Sequence, residues 1–260
     1  MNAKPAARRS VQPALAAFVL HRYDWSESSL ILDLFTRELG RVAVAAKGAK
    51  RPYSQLRAVL LPFQRIHVSL GRARGLEPSG EVQTLRAAEW GGGAAMLTGG
   101  ALFSGFYLNE LLMKLLARQD PHPALFDAYA QTLQALEPRN DLVLQASLRA
   151  FELTLLREVG VLPELDVVTL TQEPVQAQGR YALLPEAGVA VPRKDASAMT
   201  GEALQALQAA LAQGQLAALR RACAVALPEL KNTLRELLHY HLGTDQLRTR
   251  QVMLNLPGVV

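Results

Sequence analysis

Residues 63–70 read FQRIHVSL, and they carry the clearest strand pattern of the 260-residue chain. Ile66, Val68 and Leu70 alternate with polar side chains, which is the two-residue period of a strand with one buried face. Four more short segments of strand type lie in the first 90 residues, at 14–21, 29–36, 41–47 and 81–85. Five short strands with no helix between most of them predict a small closed barrel of the OB type.

A helical pattern replaces the strand pattern after the glycine run at residues 91–93. From about residue 94 the apolar positions recur every three or four residues, and Asp141 and Thr200 are predicted to cap two of the helices. The uncharged stretch 91–108 contains six glycines, which favours a linker followed by a buried helix over a membrane span. A Val-, Thr-, Gln- and Pro-rich segment at about 163–193 predicts an irregular insertion containing β-structure.

These patterns predict an α+β protein with two domains. Residues 1–88 form a basic OB-type nucleic-acid-binding domain, and residues 94–260 form an α-helical domain that carries the insertion. The chain has one cysteine, Cys223, which excludes an internal disulfide and a multi-cysteine zinc site. This cysteine usage fits the reducing cytoplasm.

Positive charge is concentrated in the first third of the chain. Residues 1–87 hold 14 Lys and Arg against 6 Asp and Glu, a net charge of +8. Residues 88–260 hold 14 against 17, a net charge of −3. This asymmetry favours a polyanionic partner for the N-terminal domain, although a surface charged only for solubility is the alternative that composition leaves open.

Residues 41–57, RVAVAAKGAKRPYSQLR, contain five cations and no acid. Gly48 and Pro52 place the middle of this run on a loop that leaves a strand. Cations that neutralise phosphates, beside an aromatic ring that stacks on bases, are typical of single-strand binding. The predicted DNA-binding residues are Arg41, Lys47, Lys50, Arg51, Tyr53 and Arg57, extended by Arg65, Arg72 and Arg74. A solvated loop that serves only solubility is the competing interpretation.

The sequence contains no recognisable enzyme signature. No glycine leads into a phosphate-binding Gly-Lys-Ser/Thr, and no Gly-x-Ser-x-Gly elbow occurs. Cys223 is predicted to be a small core residue. Glu110, Glu152 and Glu158 are predicted to lie on helix surfaces without a paired acid. The sequence therefore predicts a protein that is not an enzyme and that holds no cofactor and no metal.

Several stretches, in their order and spacing, resemble the RecO family of recombinational DNA-repair proteins. In the barrel, AKGAKRPYS at 46–54 and LPF at 61–63 carry the resemblance, within a similar run at 18–68. In the helical domain the similar stretches are FYLNELLMKLLARQDPHPALFDAYAQTLQAL at 106–136, LRAFELTLLREVGVLPELD at 148–166 and LRTRQVM at 247–253. Many members carry two zinc-binding Cys-x-x-Cys pairs in the insertion. This insertion has no cysteine and resembles the subset in which packing replaces the metal.

The resemblance implies DNA repair and recombination by the RecFOR pathway, in the cytoplasm and associated with the nucleoid. RecO proteins bind single- and double-stranded DNA, anneal complementary strands and, with RecR, assist loading of the RecA recombinase. They also engage the acidic C-terminal tail of the single-strand DNA-binding protein through the helical domain. Arg149, with Lys114 and Arg118 behind it, is the candidate site for this tail, and plain solvated helix charges are the alternative. An RNA-binding OB-fold module in RNA metabolism or translation is the alternative function.

Overall fold

Five strands close into a barrel in the computed structural model, which describes residues 14–71, 82–93, 96–136, 140–192, 197–244 and 246–254. The strands are β1 (Leu15–Asp24), β2 (Leu30–Thr36), β3 (Gly40–Ala46), β4 (Arg65–Gly71) and β5 (Val82–Trp90), with a short helix α1 (Leu56–Val59) before β4. Their order around the barrel is β1-β2-β3-β5-β4, and β4 pairs again with β1. Neighbouring strands are antiparallel except β3 and β5, which run parallel. The predicted five-stranded OB-type barrel in an α+β protein is confirmed.

Strand β5 is longer than the alternation in the sequence predicts, since it continues past Leu85 to Trp90. The pairing of β4 with β5 shifts register between Ser69 and Leu70. Ser69 pairs with Ala87 and Leu70 pairs with Leu85, so that Arg86 has no partner residue on β4. A bulge inserts one residue and changes which side chains face the core. The two-residue period therefore breaks at Arg86, one residue after the end of the predicted strand.

Seven helices follow the barrel within the described ranges. They are α2 (Gly99–Leu115), α3 (Pro123–Ala135), α4 (Asp141–Glu158), α5 (Gly201–Gln213), α6 (Leu216–Val225), α7 (Leu227–Leu242) and α8 (Arg248–Leu254). Thr200 caps α5 as predicted, because its hydroxyl accepts a hydrogen bond from the N–H of Ala203. The predicted cap of α4 is wrong by one residue: the side chain of Asn140 accepts from two backbone N–H groups, and Asp141 is already helical. Among the described helices, none combines the length and apolar character needed to cross a membrane.

A three-stranded sheet forms the insertion between α4 and α5. Its strands are β6 (Arg180–Leu184), β7 (Gly188–Ala190) and β8 (Met199–Thr200), in the order β7-β6-β8. Leu165, Val175 and other apolar side chains of the insertion are buried in the same cluster as the helices. Apolar packing therefore connects the insertion to the helical core.

The barrel has an apolar core of its own, and one of its outer faces packs into a second apolar core that it shares with the helices. Phe18 and Phe35 on barrel strands pack against Phe126 and Tyr129 of α3, and the ring centroids of Phe18 and Tyr129 lie 5.0 Å apart. The Tyr129 hydroxyl donates to Asn109 Oδ1 at 2.5 Å, and Asn109 Nδ2 donates at 2.9 Å to a backbone carbonyl of β1. Aromatic packing and a buried hydrogen-bond chain therefore fix the barrel against α2 and α3.

Gly40, at the turn between β2 and β3, is expected to be intolerant of a side chain. Its φ is +66°, and an added Cβ would lie 1.9 Å from the carbonyl oxygen of Asp120. Gly40→Ala is expected to lower the free energy of unfolding, measured in urea, by about 2 kcal/mol. Gly214 is the matched control, because it has the same φ of +66° but no atom within 4 Å of the added Cβ. Gly214→Ala is expected to cost only about 1 kcal/mol; equal losses would contradict the assigned close approach.

Candidate nucleic-acid interface

Two loops at one end of the barrel are joined into a single surface, which we call the basic rim (residues 25–29 and 47–55). The N–H of Lys50 donates to the carbonyl oxygen of Ser28 at 3.0 Å, and the N–H of Gly48 donates to Ser29 Oγ at 3.4 Å. The ammonium group of Lys50 donates to the Ser26 carbonyl oxygen at 3.0 Å. These hydrogen bonds hold the two loops together, so the basic rim is one preorganised element.

The basic rim contains a shallow cavity of about 540 Å³. The cavity is lined by one aromatic residue, three serines, a glycine and two cations: Trp25, Ser26, Ser28, Ser29, Gly48, Lys47 and Arg51. Both cations are exposed to solvent. A cavity with an aromatic wall, hydroxyl groups and two accessible cations has the chemistry that a nucleotide requires.

The loop residues predicted from the sequence differ in their availability. Lys47, Arg51 and Arg57 are exposed, and Tyr53 is 97% exposed. Lys50 already forms an ion pair at 3.0 Å with Asp24, so its charge is partly neutralised. The basic run therefore supplies three accessible cations and one exposed ring.

Trp25 is a site residue that sequence reasoning missed. It follows β1 in the polar turn WSESS, residues 25–29, and its side chain is 44% exposed. An aromatic residue in an otherwise polar turn between two strands was the available signal, since a tryptophan is normally more deeply buried. Only the fold places this turn beside the loop that follows β3.

Arg41 does not belong to the basic rim, which corrects its predicted position. Its guanidinium forms two hydrogen bonds with the carboxylate of Asp33, at 2.9 and 3.1 Å. It also donates to the carbonyl oxygens of Met113 and Leu116 at the end of α2. Since all these partners lie between the barrel and the helices, Arg41 joins the two parts of the molecule, and its DNA contact stays a prediction.

Arg65, the described residue of the predicted extension, does not lie on the basic rim. Arg65 lies at the start of β4, where it pairs in register with Phe18, well before β1 ends at Asp24. Its Nε is buried. Arg72 and Arg74 lie outside the described residues, and their proposed role stays a prediction.

The three residues predicted for a partner's acidic tail occupy separate environments. Arg118 pairs with Asp33 at 3.3 Å, and Lys114 pairs with Glu110 at 3.6 Å. Arg149 is only 8% exposed and lies in the helical core. Each of the three cations is therefore paired with a different carboxylate, and their role as a tail site stays a prediction.

Arg149 belongs to a buried polar group between α2 and α4. Its guanidinium lies 2.8 Å from Glu152 Oε1, and the Tyr107 hydroxyl donates to the same oxygen at 2.7 Å. Glu152 is completely buried, so its predicted position on a helix surface is wrong. Burial raises the pKa of Glu152, although the Arg149 charge and the Tyr107 hydrogen bond act in the opposite direction. Cys223 is buried, as predicted, and burial raises the pKa of its thiol.

Glu110 also forms hydrogen bonds with another helix of the fold. Its carboxylate accepts hydrogen bonds from the backbone N–H groups of Arg248 and Thr249 and from the Thr249 hydroxyl. Partial burial acts to raise the pKa of Glu110, but these hydrogen bonds and the charge of Lys114 lower it below the ordinary value. Glu110 therefore acts as a cap for α8.

A second cavity lies in the helical part of the chain. It has a volume of about 300 Å³, lies among α3, α4, α5 and α6, and is lined by Asp127 and Glu158 as well as by Arg157. Its mixed charge does not favour phosphate binding. In the described ranges, no three His, Cys, Asp or Glu side chains are grouped closely enough to hold a metal ion.

Comparison with known proteins matches both parts of this architecture. Residues 14–89 match the family model for the recombination protein O N terminal, and residues 96–251 match the model for the recombination protein O C terminal. The chain belongs to the RecO family. The resemblance seen in the sequence is thereby confirmed.

Curated RecO relatives match almost end to end. "DNA repair protein RecO" of Polaromonas sp. (strain JS666 / ATCC BAA-500) is 53% identical, covering 94% of this chain and 96% of the relative. The protein of the same name from Variovorax paradoxus (strain S110) is 50% identical, covering 98% and 99%. These similarities support a role for this RecO-family chain in DNA repair and recombination.

Proposed function

We propose that this chain is a non-catalytic recombination mediator that binds single- and double-stranded DNA and anneals complementary strands. It works with RecR to assist loading of the RecA recombinase, in the cytoplasm and at the nucleoid. The observation that carries the proposal is the basic rim, where Lys47 and Arg51 are exposed beside the Trp25 ring. RecO family membership supports the same conclusion.

Annealing requires no covalent chemistry, which agrees with a site made of cations, hydroxyl groups and rings. Two complementary strands repel each other through their phosphates, and cations that neutralise both lower this barrier. Charge on an OB barrel contacts the backbone without reading sequence. The basic rim therefore suits a mediator that acts on any gap or break.

The proposal includes two protein partners, RecR and the acidic C-terminal tail of the single-strand DNA-binding protein. An acidic tail requires accessible cations, and Arg149 is already paired with Glu152 in the core. We therefore assign the tail to the helical domain without placing it on Arg149. Pull-down of RecR and of a tail peptide by the full chain tests this part of the proposal.

Charge reversal on the basic rim is expected to abolish most single-strand binding. Lys47→Glu/Arg51→Glu should lower affinity for a labelled DNA oligomer at least tenfold in fluorescence anisotropy. Because single strands give a log–log salt slope of roughly −0.7 per phosphate contact, loss of two contacts should reduce the slope by about 1.4.

The matched control is Arg221→Glu/Lys231→Glu, which changes net charge equally at exposed residues of the helical domain. This control is expected to keep most of the wild-type slope. If both double variants lose affinity to the same degree, binding depends on net charge and the basic rim is not the site. Tighter wild-type binding to RNA than to DNA of equal sequence would instead support an RNA-binding module, since only RNA offers the 2′-hydroxyl.

A further inference from the structure

The backbone at Trp25 is held in place by hydrogen bonds, although the side chain lies at the surface. The N–H of Trp25 and that of Ser26 both lie within hydrogen-bonding reach of the Ser29 carbonyl oxygen, at 3.3 and 3.4 Å. These contacts close the turn and hold the backbone on either side of the ring. Among the described residues, neither apolar core includes Trp25. Trp25 therefore lines the rim cavity from a turn whose backbone is held in place, and it lies outside the barrel interior.

The other walls of the cavity complement the parts of a nucleotide. Ser26 and Ser28 bring hydroxyl groups, which both donate and accept hydrogen bonds, as the edge of a base requires. Lys47 and Arg51 bring the positive charge that a phosphate requires. Gly48 also lines the cavity, and the Arg51 side chain lies close to it, because an added Cβ at Gly48 would be 3.5 Å from Arg51 Nε.

Acidic residues do not cancel this charge inside the cavity. Asp24 pairs with Lys50 at 3.0 Å, and Glu27 is exposed in the same turn without lining the cavity. The cavity walls therefore carry cations and no carboxylate. The cavity therefore favours a ligand that places an anionic group next to Trp25.

An aromatic wall of this kind discriminates between single and double strands. Inside a duplex both faces of each base are covered by its neighbours, and only base edges and phosphates reach a protein surface. A base of a single strand can leave the stack and place its face on an indole ring. Phosphate contacts from Lys47 and Arg51, by contrast, are available to both kinds of DNA.

We propose that the rim cavity is a stacking subsite for one unpaired nucleobase, with Trp25 as the platform and Lys47 and Arg51 holding the adjoining phosphates. The inference rests on the proposed function, because it assigns the part of that site that selects single strands. The cations then supply affinity common to both forms of DNA. The indole adds affinity for the single strand alone.

The first test removes the platform and leaves the cations in place. Trp25→Ala is expected to lower affinity for a poly-dT oligomer about tenfold, with an unchanged salt slope because no phosphate contact is lost. Affinity for a duplex of equal length should stay at the wild-type value. Trp25→Phe, which keeps an aromatic face, should recover part of the single-strand affinity. Trp90→Ala is the matched control, since Trp90 is an exposed tryptophan on β5.

The second test observes stacking directly. The chain has two tryptophans, so Trp90→Phe leaves Trp25 as the sole indole fluorophore. Titration with poly-dT is expected to quench its emission, whereas saturation with duplex at low salt should leave most of the emission. Quenching to the same extent by both would overturn the inference.

The outcomes separate this inference from the proposed function. If Trp25→Ala weakens single-strand and duplex binding equally, Trp25 supports the loop and the subsite is rejected. If Trp25→Ala binds normally while Lys47→Glu/Arg51→Glu does not, the proposed interface stands and only the stacking subsite is rejected. If the wild-type chain binds neither form of DNA, the proposed function itself is rejected.

Discussion

Arg149→Met is expected to lower the free energy of unfolding by about 4 kcal/mol, because it removes the guanidinium that contacts a buried carboxylate and leaves Arg235 as the remaining charge that favours the ionised form. Glu152 is completely buried, and its Oε1 contacts the Arg149 guanidinium at 2.8 Å. In the variant only the Tyr107 hydroxyl, at 2.7 Å, would still donate to this carboxylate. Urea unfolding followed by circular dichroism at pH 7 measures the loss.

Two further variants separate the ion pair from simple packing. Arg157→Met removes an arginine that is exposed on the same helix, together with its hydrogen bond to the Leu211 carbonyl oxygen, and is expected to cost only about 1 kcal/mol. Arg149→Met/Glu152→Gln removes the buried charge together with its partner and should recover part of the stability. Equal losses in the free energy of unfolding for Arg149→Met and Arg157→Met would show that the buried pair of Arg149 and Glu152 contributes no more than an exposed arginine.

The loss in Arg149→Met should depend on pH in a defined direction. Burial raises the pKa of Glu152 in the folded protein, and Arg149 opposes that rise; the variant therefore raises it further. A carboxyl whose folded pKa exceeds its unfolded value binds more protons when folded, so stability falls as pH rises above the unfolded pKa. The variant is thus expected to approach wild-type stability at acidic pH, and a deficit that grows on acidification would contradict this assignment. If Arg149→Met loses partner binding at neutral pH, unfolding of the helical core explains the loss. A lost contact between Arg149 and the partner does not explain it, because Arg149 is buried.

The barrel could be predicted from the sequence because its signal is local. Alternation in residues 63–70 depends only on which neighbours face the core, and Gly48 and Pro52 mark a loop whatever the tertiary structure. Lys47, Arg51 and Tyr53 were accordingly predicted on a loop and are exposed on it. The bulge at Arg86 shows the limit of this reasoning, since it changes the alternation through pairing with another strand.

Burial of charged residues could not be predicted, because it depends on partners that are distant in the chain. Arg41 belongs to the same basic run as Lys47, but α2 carbonyl groups and Asp33 bind its guanidinium. The spacing of Arg149 and Glu152 permits a helical ion pair and does not say which face is buried. The fold likewise creates the Trp25 cavity by joining two loops that are separate in sequence.

Asp33→Ala is expected to lower the free energy of unfolding by about 3 kcal/mol, since it leaves Arg41 and Arg118 without their carboxylate partner. These residues lie where the barrel contacts the helices, a region that we call the joint. The Asp33 side chain is 1% exposed, and its carboxylate binds Arg41 at 2.9 and 3.1 Å and Arg118 at 3.3 Å. Arg41 would keep its hydrogen bonds to α2 carbonyl oxygens, but its charge would be uncompensated in a poorly hydrated position. Asp33→Asn, which keeps one acceptor oxygen, should lose less stability than Asp33→Ala.

A second ion pair across the same joint provides the control. Arg37 contacts Asp127 at 2.9 and 3.1 Å, a geometry as good as that of Asp33 with Arg41, but both side chains are close to half exposed. Solvent screens such pairs, so Asp127→Ala is expected to change stability little.

The functional consequence of Asp33→Ala distinguishes the joint from the DNA site. None of the Asp33 contacts reaches the basic rim, so the folded variant should bind a single-stranded oligomer with wild-type affinity at low temperature. Thermal unfolding should begin at a lower temperature, and DNA binding should be lost together with the fold. If Asp33→Ala and Asp127→Ala lower stability by the same small amount, the buried ion-pair network does not hold the barrel against the helices. The aromatic packing around Phe18 and Tyr129 then does so. Weakened DNA binding by a fully folded Asp33→Ala variant would instead mean that the network controls the shape of the rim.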